Sequence, residues 1–545
     1  MKRSVDSESA LVRSFGSLQS KTFDLAIVGG GAIGASIASY AASAGLSVAL
    51  LEAADYASDG SAKSPSFLHG EKANLTLGAL RKVREAGRER KRLHQLAPHL
   101  VEPRSVVVPL RYRMSKLRCQ FARSLTKSPG RVAVDAQDCV ESLEHLQVKD
   151  PHLRLAKYPH TWSFRDYEVD GTRLIISMLR DAVFNGASCA NYVRVQSIEQ
   201  RRDLYFLYCV DELSASEFAV RCRCVVDTSG NETERAENGK NLATGQADSE
   251  PAQYLKRLQV AVPRECLPLH YSMQLETADH NTVSVIPRGQ VTYVVATRTH
   301  ESLSIEPTPE VTQDDIQYLL EPLATYFSVE SIRLVNVVSC SAEFAATAKA
   351  PDRKVRVTPN GAIVCDKALL DECRPIRDET IRLVEKVLQR AVIPTEPGRL
   401  LPGGDLRSPE SSSTTEPGVA PCNSEVSRIG ALYSIDKPSA HRLVRLYGCE
   451  VEQVIGMPPD RLSSQVFTRE VDWAVSVEGA ITVEDVLYRR LQAVWYEPGE
   501  LASLLPAVTE RMAELLGWDA NEQKRQRIMA EQRIALDLAA VPLAV

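Results

Sequence analysis

The chain has 545 residues, 44% of them hydrophobic and 25% charged, with a formal net charge of −5. That length supports a large buried core and two or three domains, and the mild acidity excludes a nucleic-acid footprint or an overall bias toward an anionic membrane. The 12 cysteines are scattered, with no CxxC pair and no Cys/His cluster, so they read as reduced cytosolic thiols rather than disulfides or zinc ligands.

Residues 1–21 carry Lys2, Arg3, Asp6, Glu8 and Arg13 without an apolar stretch and read as a disordered N-terminal arm. Residues 25–51 hold no charged side chain and are long enough to cross a bilayer. They begin as a strand, however, and run into a glycine cluster and then small residues suited to close packing. The reading is a strand over 23–28, a turn at 29–31, a helix over 32–45 and a second strand over 47–52. A charged helix follows over 77–96, its Arg81, Lys82, Arg84, Arg88, Arg90, Lys91 and Arg92 forming a solvated face partnered by Glu85 and Glu89. A further helix is predicted over 170–185, and strands over 192–197, 204–209, 219–226, 282–286 and 291–297. Residues 230–253 and 408–424 are too polar to order themselves and read as linkers. The remainder from about 426 is mostly helical, with Trp473 and Trp518 as core anchors. The whole predicts an α/β core carrying a more antiparallel β domain.

Gly29-Gly30-Gly31-Ala32-Ile33-Gly34 is G-x-G-x-x-G set between a strand and a helix, the context that gives the motif its meaning. Gly29 permits a tight turn, Gly31 lets a pyrophosphate approach the backbone, and Gly34 lets helix and strand pack closely. The helix N-terminus offers N–H donors and a positive dipole end to the phosphates. Glu52, 18 residues beyond Gly34, ends the second strand where an acid binds ribose hydroxyls. These residues predict a dinucleotide site and do not by themselves separate FAD from NAD.

Downstream segments extend this signal. Ala97-Pro98-His99-Leu100-Val101, Asp166-Tyr167-Glu168-Val169-Asp170-Gly171-Thr172-Arg173-Leu174, Asn191-Tyr192-Val193-Arg194-Val195, Leu401-Pro402-Gly403-Gly404-Asp405, Thr482-Val483-Glu484-Asp485-Val486-Leu487 with Arg489-Arg490, and Leu516-Gly517-Trp518-Asp519 stand in order along the chain. With them the sequence resembles the FAD-dependent (respiratory) glycerol-3-phosphate dehydrogenases over most of residues 22–530. The resemblance implies a glutathione-reductase-like FAD-binding Rossmann domain, α/β and α+β overall, with a β-rich capping domain and a helical C-terminal domain. It divides the chain into the arm at 1–21, an oxidoreductase region at 22–400, a linker at 401–425 and a helical domain at 426–545. Within the oxidoreductase region, FAD-binding parts fall at about 22–115, 160–235 and 345–395, and the capping domain at about 236–344. The implied cofactor is FAD, held by residues 29–34 and Glu52, with Ser61, Val195 and Gly230 as further contacts. The implied reaction is hydride transfer from sn-glycerol 3-phosphate to flavin, giving dihydroxyacetone phosphate, with His69 as the candidate base. Electrons then pass to a quinone or to O2, which implies a cytoplasmic protein with peripheral contact at the inner face of the membrane.

The sequence departs from the family where that chemistry is done. The family's lysine and arginine around His69-Gly70 are Ser66 and Ala73. Its phosphate-binding arginine aligns with Ala342, beside Glu343. Its flavin-clamping glycine pair is missing around Val364-Cys365-Asp366-Lys367. Lys72, Arg298 and Lys367 are the neighbouring cations able to compensate. Each lost charged hydrogen bond is worth about 1.5–3 kcal/mol, so two losses weaken dianion binding severely. Three readings follow: a working glycerol-3-phosphate oxidoreductase, an FAD enzyme with a non-phosphorylated substrate, and a silent relative that keeps the fold for binding or regulation.

Overall fold

The computed structural model describes residues 9–58, 66–67, 79–110, 150–154, 160–229, 252–279, 281–302, 311–328, 336–347, 355–366, 370–396, 398–406, 421–456 and 466–539. The chain enters through a short helix, α1 (Phe15–Ser20), and then β1 (Thr22–Val28), α2 (Ala32–Ser43) and β2 (Val48–Leu51). β1 and β2 pair in parallel, Leu25 with Val48 through Val28 with Leu51. All four residues of β2 are buried. This explains why the strand reads as an unbroken apolar run: a parallel strand covered on both faces has no solvent side.

The first sheet runs β15 (Val355–Val357), β16 (Ile363–Cys365), β9 (Glu217–Asp227), β1, β2, β6 (Ser188–Ala190). An antiparallel ribbon of β7 (Val193–Arg201) and β8 (Leu204–Asp211) joins it through β9. α2, α4 (Gly171–Phe184) and α6 (Cys373–Leu388) bury one face, and the ribbon with α1 buries the other. The second sheet runs β14 (Ser339–Thr347), β10 (Ala252–Pro263), β13 (Val291–Ser302), β12 (Thr282–Arg288), β11 (Ser272–Glu276), β4 (Val101–Leu110), β5 (His160–Val169), β3 (Ser66–Phe67). It is antiparallel except between β11 and β4. One face packs on α5 (Gln313–Tyr326), which opens with a Thr312–Asp315 capping box. The other packs on the C-terminal helices. The C-terminal helices are α7 (Pro421–Tyr433), α8 (Lys437–Tyr447), α9 (Val451–Ile455), α10 (Val466–Ser476), a π-type turn at Asp485–Arg490, α11 (Ala493–Tyr496), α12 (Leu501–Leu516) and α13 (Ala520–Ala539); those from α10 onward make this contact, while α7, α8 and α9 pack together around Trp473.

Four expectations are corrected. Residues 9–21 of the expected N-terminal arm are structured. Leu11 and Leu18 are fully buried, the Leu11 N–H donates to the Val477 carbonyl (2.8 Å), and Arg13 pairs with Asp211. Two apolar residues seven apart carry no local signal, and their partners lie hundreds of residues away. The capping sheet also takes in β3, β4 and β5, which the expected boundaries gave to the FAD-binding parts, because β4 pairs with β11. The expected linker at 401–425 is structured at both ends. Leu401 and Leu406 are buried and α7 begins at Pro421, while residues 407–420 lie outside the described residues. Finally, α3 (Ala79–Leu96) is not wholly a solvated face. Glu89 and Arg90 are buried, Arg90 against Asp166 (2.5 Å) and Glu89 against Arg92 and Arg374.

Candidate cofactor and substrate site

The glycine loop follows β1 and is anchored by the Gly29 N–H donating to the Leu51 carbonyl (2.8 Å). Gly29 has φ +107°, a conformation that side chains disfavour. The Thr228 hydroxyl, which donates to the Val28 carbonyl (3.0 Å), would lie 2.6 Å from a Cβ there. A Cβ on Gly34 would stand 2.0 Å from the Gly29 carbonyl oxygen, so α2 can approach β1 this closely only with glycine at that position. Gly31 is the opposite case: a Cβ there meets nothing within 4 Å among the described residues. It faces open space in front of the first turn of α2, which has no side-chain cap and no acidic residue. A helix start leaves backbone donors without intrahelical partners, so this arrangement fits a pyrophosphate. Ala32 and Ile33, the first two helical residues, are buried beneath it.

Glu52 stands beside the loop at the end of β2. Its carboxylate accepts the Gly30 N–H at 2.6 Å and the Ala54 N–H at 2.9 Å. Gly30 leaves no room for a side chain, because a Cβ would lie 3.0 Å from the Tyr56 ring and 3.1 Å from Glu52 Cβ. Val195 sits at a bulge of β7, half-buried against the core beneath the ribbon. It lies two residues past Val193, whose N–H donates to the Glu52 carbonyl (2.7 Å). Ser61, His69 and Gly230 lie outside the described residues, as do Lys72, Ala73 and Lys367.

Several of the family-like segments farther along the chain converge on a joint between the two sheets and the C-terminal helices. Asp170 caps α4 by accepting the Arg173 N–H (3.1 Å), and it also accepts from Arg288 (3.1 Å) and Gln492 (2.8 Å). Arg173 grips Glu478 with two bonds of 2.6 Å and donates to the Leu446 carbonyl. Burial pushes the Glu168 carboxyl up, but Arg445, Arg288 and Arg104 outweigh it and hold the group at about 2. His99 is buried among Arg173, Arg180 and Arg445, and burial first and those charges second depress its imidazole to about 3. The glycines of the 401–405 segment serve this joint, since a Cβ on Gly403 would stand 2.7 Å from His99 Nε2.

Register decides what the capping sheet offers to each side. Leu258 pairs with Ala296 and Ala342, and all three pack on the α5 side. Ala342, aligned with the family's phosphate-binding arginine, therefore belongs to the α5 core. Lys256 is bound to Asp315 (2.7 Å), and Arg298 to Asp314 (3.0 Å) and Asp315 (3.3 Å) with its guanidinium over Tyr318. Arg298 is thus committed to α5. The opposite face carries a cross-strand row of Ser341, Gln259, Val295, Ser284 and Gln274. Gln259 and Gln274 are buried there, and the Gln259 Oε1 and Gln274 Nε2 have no hydrogen-bond partner among the described residues. The next row holds Arg257, paired in register with Glu343. Arg257, Gln259 and Gln274 were not singled out by the sequence. Lys256 and Arg257 interrupt the apolar run of β10, and the alternation at 257 and 259 is the only local trace.

A parallel sheet carrying a glycine loop, an acid at the end of its second strand and a capping antiparallel sheet define a dinucleotide-binding oxidoreductase. The chain belongs to the FAD-dependent oxidoreductases: the family described as "FAD dependent oxidoreductase" matches residues 24–366, and "C-terminal domain of alpha-glycerophosphate oxidase" matches 400–523. Its cofactor is accordingly FAD. Among similar proteins, the "Aerobic glycerol-3-phosphate dehydrogenase" of Bacillus subtilis (strain 168) is 24% identical, covering 96% of each chain. The "Probable glycerol-3-phosphate dehydrogenase, mitochondrial" of Caenorhabditis elegans is 24% identical, over 95% of this chain and 74% of its own. The "Alpha-glycerophosphate oxidase" of Streptococcus pyogenes is 22% identical over 95% and 96%. The X-ray structure of glycerol-3-phosphate dehydrogenase from Bacillus halodurans complexed with FAD superposes with a TM-score of 0.74 at 21% identity, covering 97% of this chain and 98% of that one.

Proposed function

We propose that the chain oxidises the secondary alcohol of sn-glycerol 3-phosphate, or of a close relative, to the corresponding ketone. The observation that carries this reading is the end-to-end similarity to the B. subtilis dehydrogenase, at 96% of both chains. When bound, FAD supplies the acceptor for a hydride from the carbinol carbon. The residues of the chain divide the remaining work. Residues 29–34 and the start of α2 hold the pyrophosphate, and Glu52 orients the ribose. Ser61, Val195 and Gly230 complete the grip on the cofactor, and His69 takes the hydroxyl proton. A quinone at a membrane surface is the acceptor that the family resemblance suggests.

A second reading, a substrate without a phosphate, draws on the capping sheet. Its cations Lys256 and Arg298 are bound to α5, and Arg257 has Glu343 as its cross-strand neighbour. The buried amides Gln259 and Gln274 are neutral donors and acceptors suited to hydroxyl groups. Adding substrate to the FAD-loaded protein without oxygen decides between the readings. Bleaching of the visible flavin band by glycerol 3-phosphate supports the first. Bleaching by glycerol or another uncharged polyol alone supports the second. A band that stays oxidised with both means a silent relative.

A further inference from the structure

Glu52 does not position itself. It opens a segment, residues 52–57, that folds back over the glycine loop, where the Ala57 N–H donates to the Gly30 carbonyl (3.2 Å) and Tyr56 backs Gly30. In the middle of this segment Asp55 is 1% exposed. Arg490 holds it with two bonds, Nη1 to Oδ2 at 2.6 Å and Nη2 to Oδ1 at 2.9 Å, and Arg489 Nε adds a third at 2.5 Å. Both arginines come from the π-type turn of the C-terminal helices, more than 430 residues along the chain. Arg490 is 0% exposed, and its Nε and Nη2 also donate to the Glu478 carbonyl. Arg489 continues to Asp485 (2.5 Å) and Glu484 (3.0 Å). Asn191 donates to both Asp55 (3.0 Å) and the Gly479 carbonyl (3.1 Å), while the Tyr192 N–H donates to the Ala54 carbonyl (2.9 Å) and its hydroxyl to Asp485 (2.7 Å). The middle of the cofactor-side segment, at Ala54 and Asp55, is thus tied to residues 478–490 of the helical domain.

A buried ionic network of this kind is a poor source of raw stability, because desolvation offsets most of the attraction. What it does supply is one permitted geometry, since each displaced bond strands a buried charge. We propose that Asp55 is the positioning residue through which the C-terminal helical domain sets the affinity for FAD. By fixing residues 52–57, the Asp55–Arg489–Arg490 clamp fixes the Glu52 carboxylate and the wall of the adenosine half of the site. The proposal rests on FAD occupying the loop at 29–34.

The test is equilibrium titration of the FAD-stripped full chain with FAD, followed by flavin fluorescence, with the melting temperature of each FAD-free variant recorded. Asp55→Asn and the milder Arg489→Lys are expected to raise the Kd for FAD by about tenfold or more, the range for a residue that supports a first contact. ADP, a probe of the adenosine half alone, should weaken by a similar factor. Val508→Ala, a cavity in the fully buried C-terminal core, lowers the melting temperature but leaves the Kd unchanged. Wild-type affinity in folded Asp55→Asn, or an equal loss in Val508→Ala, overturns the clamp. If Asp55→Asn does not fold, Arg489→Lys decides by the same criterion. Gly31→Val, which fills the space in front of α2, should abolish binding. If it binds FAD normally, the site itself is misplaced and the clamp falls with it, whereas failure of the clamp variants alone leaves the site standing.

Discussion

At the scale of single residues, Gly34 and Gly31 of the loop do separable work, and mutation can tell them apart. Gly34 is required by the fold, because a methyl group there meets the Gly29 carbonyl at 2.0 Å. Gly34→Ala is expected to destabilise the FAD-free protein by about 1–3 kcal/mol through overpacking, measured by denaturant unfolding. On the proposed FAD reading, Gly31 is required by the ligand instead. Its φ is −83°, which alanine adopts without strain, and a Cβ meets only open space. Gly31→Ala should leave unfolding unchanged while weakening FAD, measured on the same protein by titration. The packing role of Gly34 was legible in the sequence because backbone sterics are local. The role of Asp55 was not, since a carboxylate three residues after Glu52 looks like any loop acid until Arg489 and Arg490 arrive from the far end of the chain.

Among the elements, α4 shows how a local signal and a distant one combine. Asp170 as its N-cap and the helix that follows were readable from the segment itself. The partners of Arg173, Glu478 and the Leu446 carbonyl, were not. Arg173→Ala leaves the Glu478 carboxylate buried with its main partner gone, and is expected to cost about 3–5 kcal/mol. Replacing both members, Arg173→Met with Glu478→Leu, should recover most of that loss, and equilibrium unfolding of the single and double variants measures both. β10 is the element that periodicity missed. Its Lys256 looks unfit for a central strand, but α5 brings Asp315 to it. β4 was given to the wrong domain because strand pairing, which joins it to β11, is set by three-dimensional register and not by proximity in sequence.

For the whole molecule, the joint between the sheets and the helical domain predicts how stability responds to acid. Asp55 and Glu168 are both held at about 2 by their arginines against the effect of burial, below the ordinary carboxylate value. Their contribution is complete above the unfolded-state pKa of about 4 and is lost as pH falls from there toward 2. His99 acts earlier on the same side. The unfolded imidazole takes a proton below about 6.5, whereas the folded one stays neutral down to about 3. Each proton taken up only by the unfolded state lowers stability by up to about 1.4 kcal/mol per pH unit. The melting temperature should therefore be level between about pH 7 and 8, decline below about 6.5 and fall more steeply below about 4. His99→Gln should flatten the upper part of that decline, and thermal melts across pH check it.

Sequence by itself determined the βαβ unit, the glycine loop and the acid at its edge, because a tight turn, a close helix and a period of apolar residues are dictated within thirty residues or so. With the resemblance of its scattered segments, it also reached the FAD-dependent family and the three-part architecture. Only the tertiary structure decided which side of the capping sheet each polar residue faces, that Ala342 and Arg298 belong to the α5 side, and that several motifs beyond the loop meet at a charged joint with the C-terminal helices. The physical reason is that one step of strand register exchanges the two faces of a sheet, and a buried ion pair forms only where the fold has already brought its two charges together.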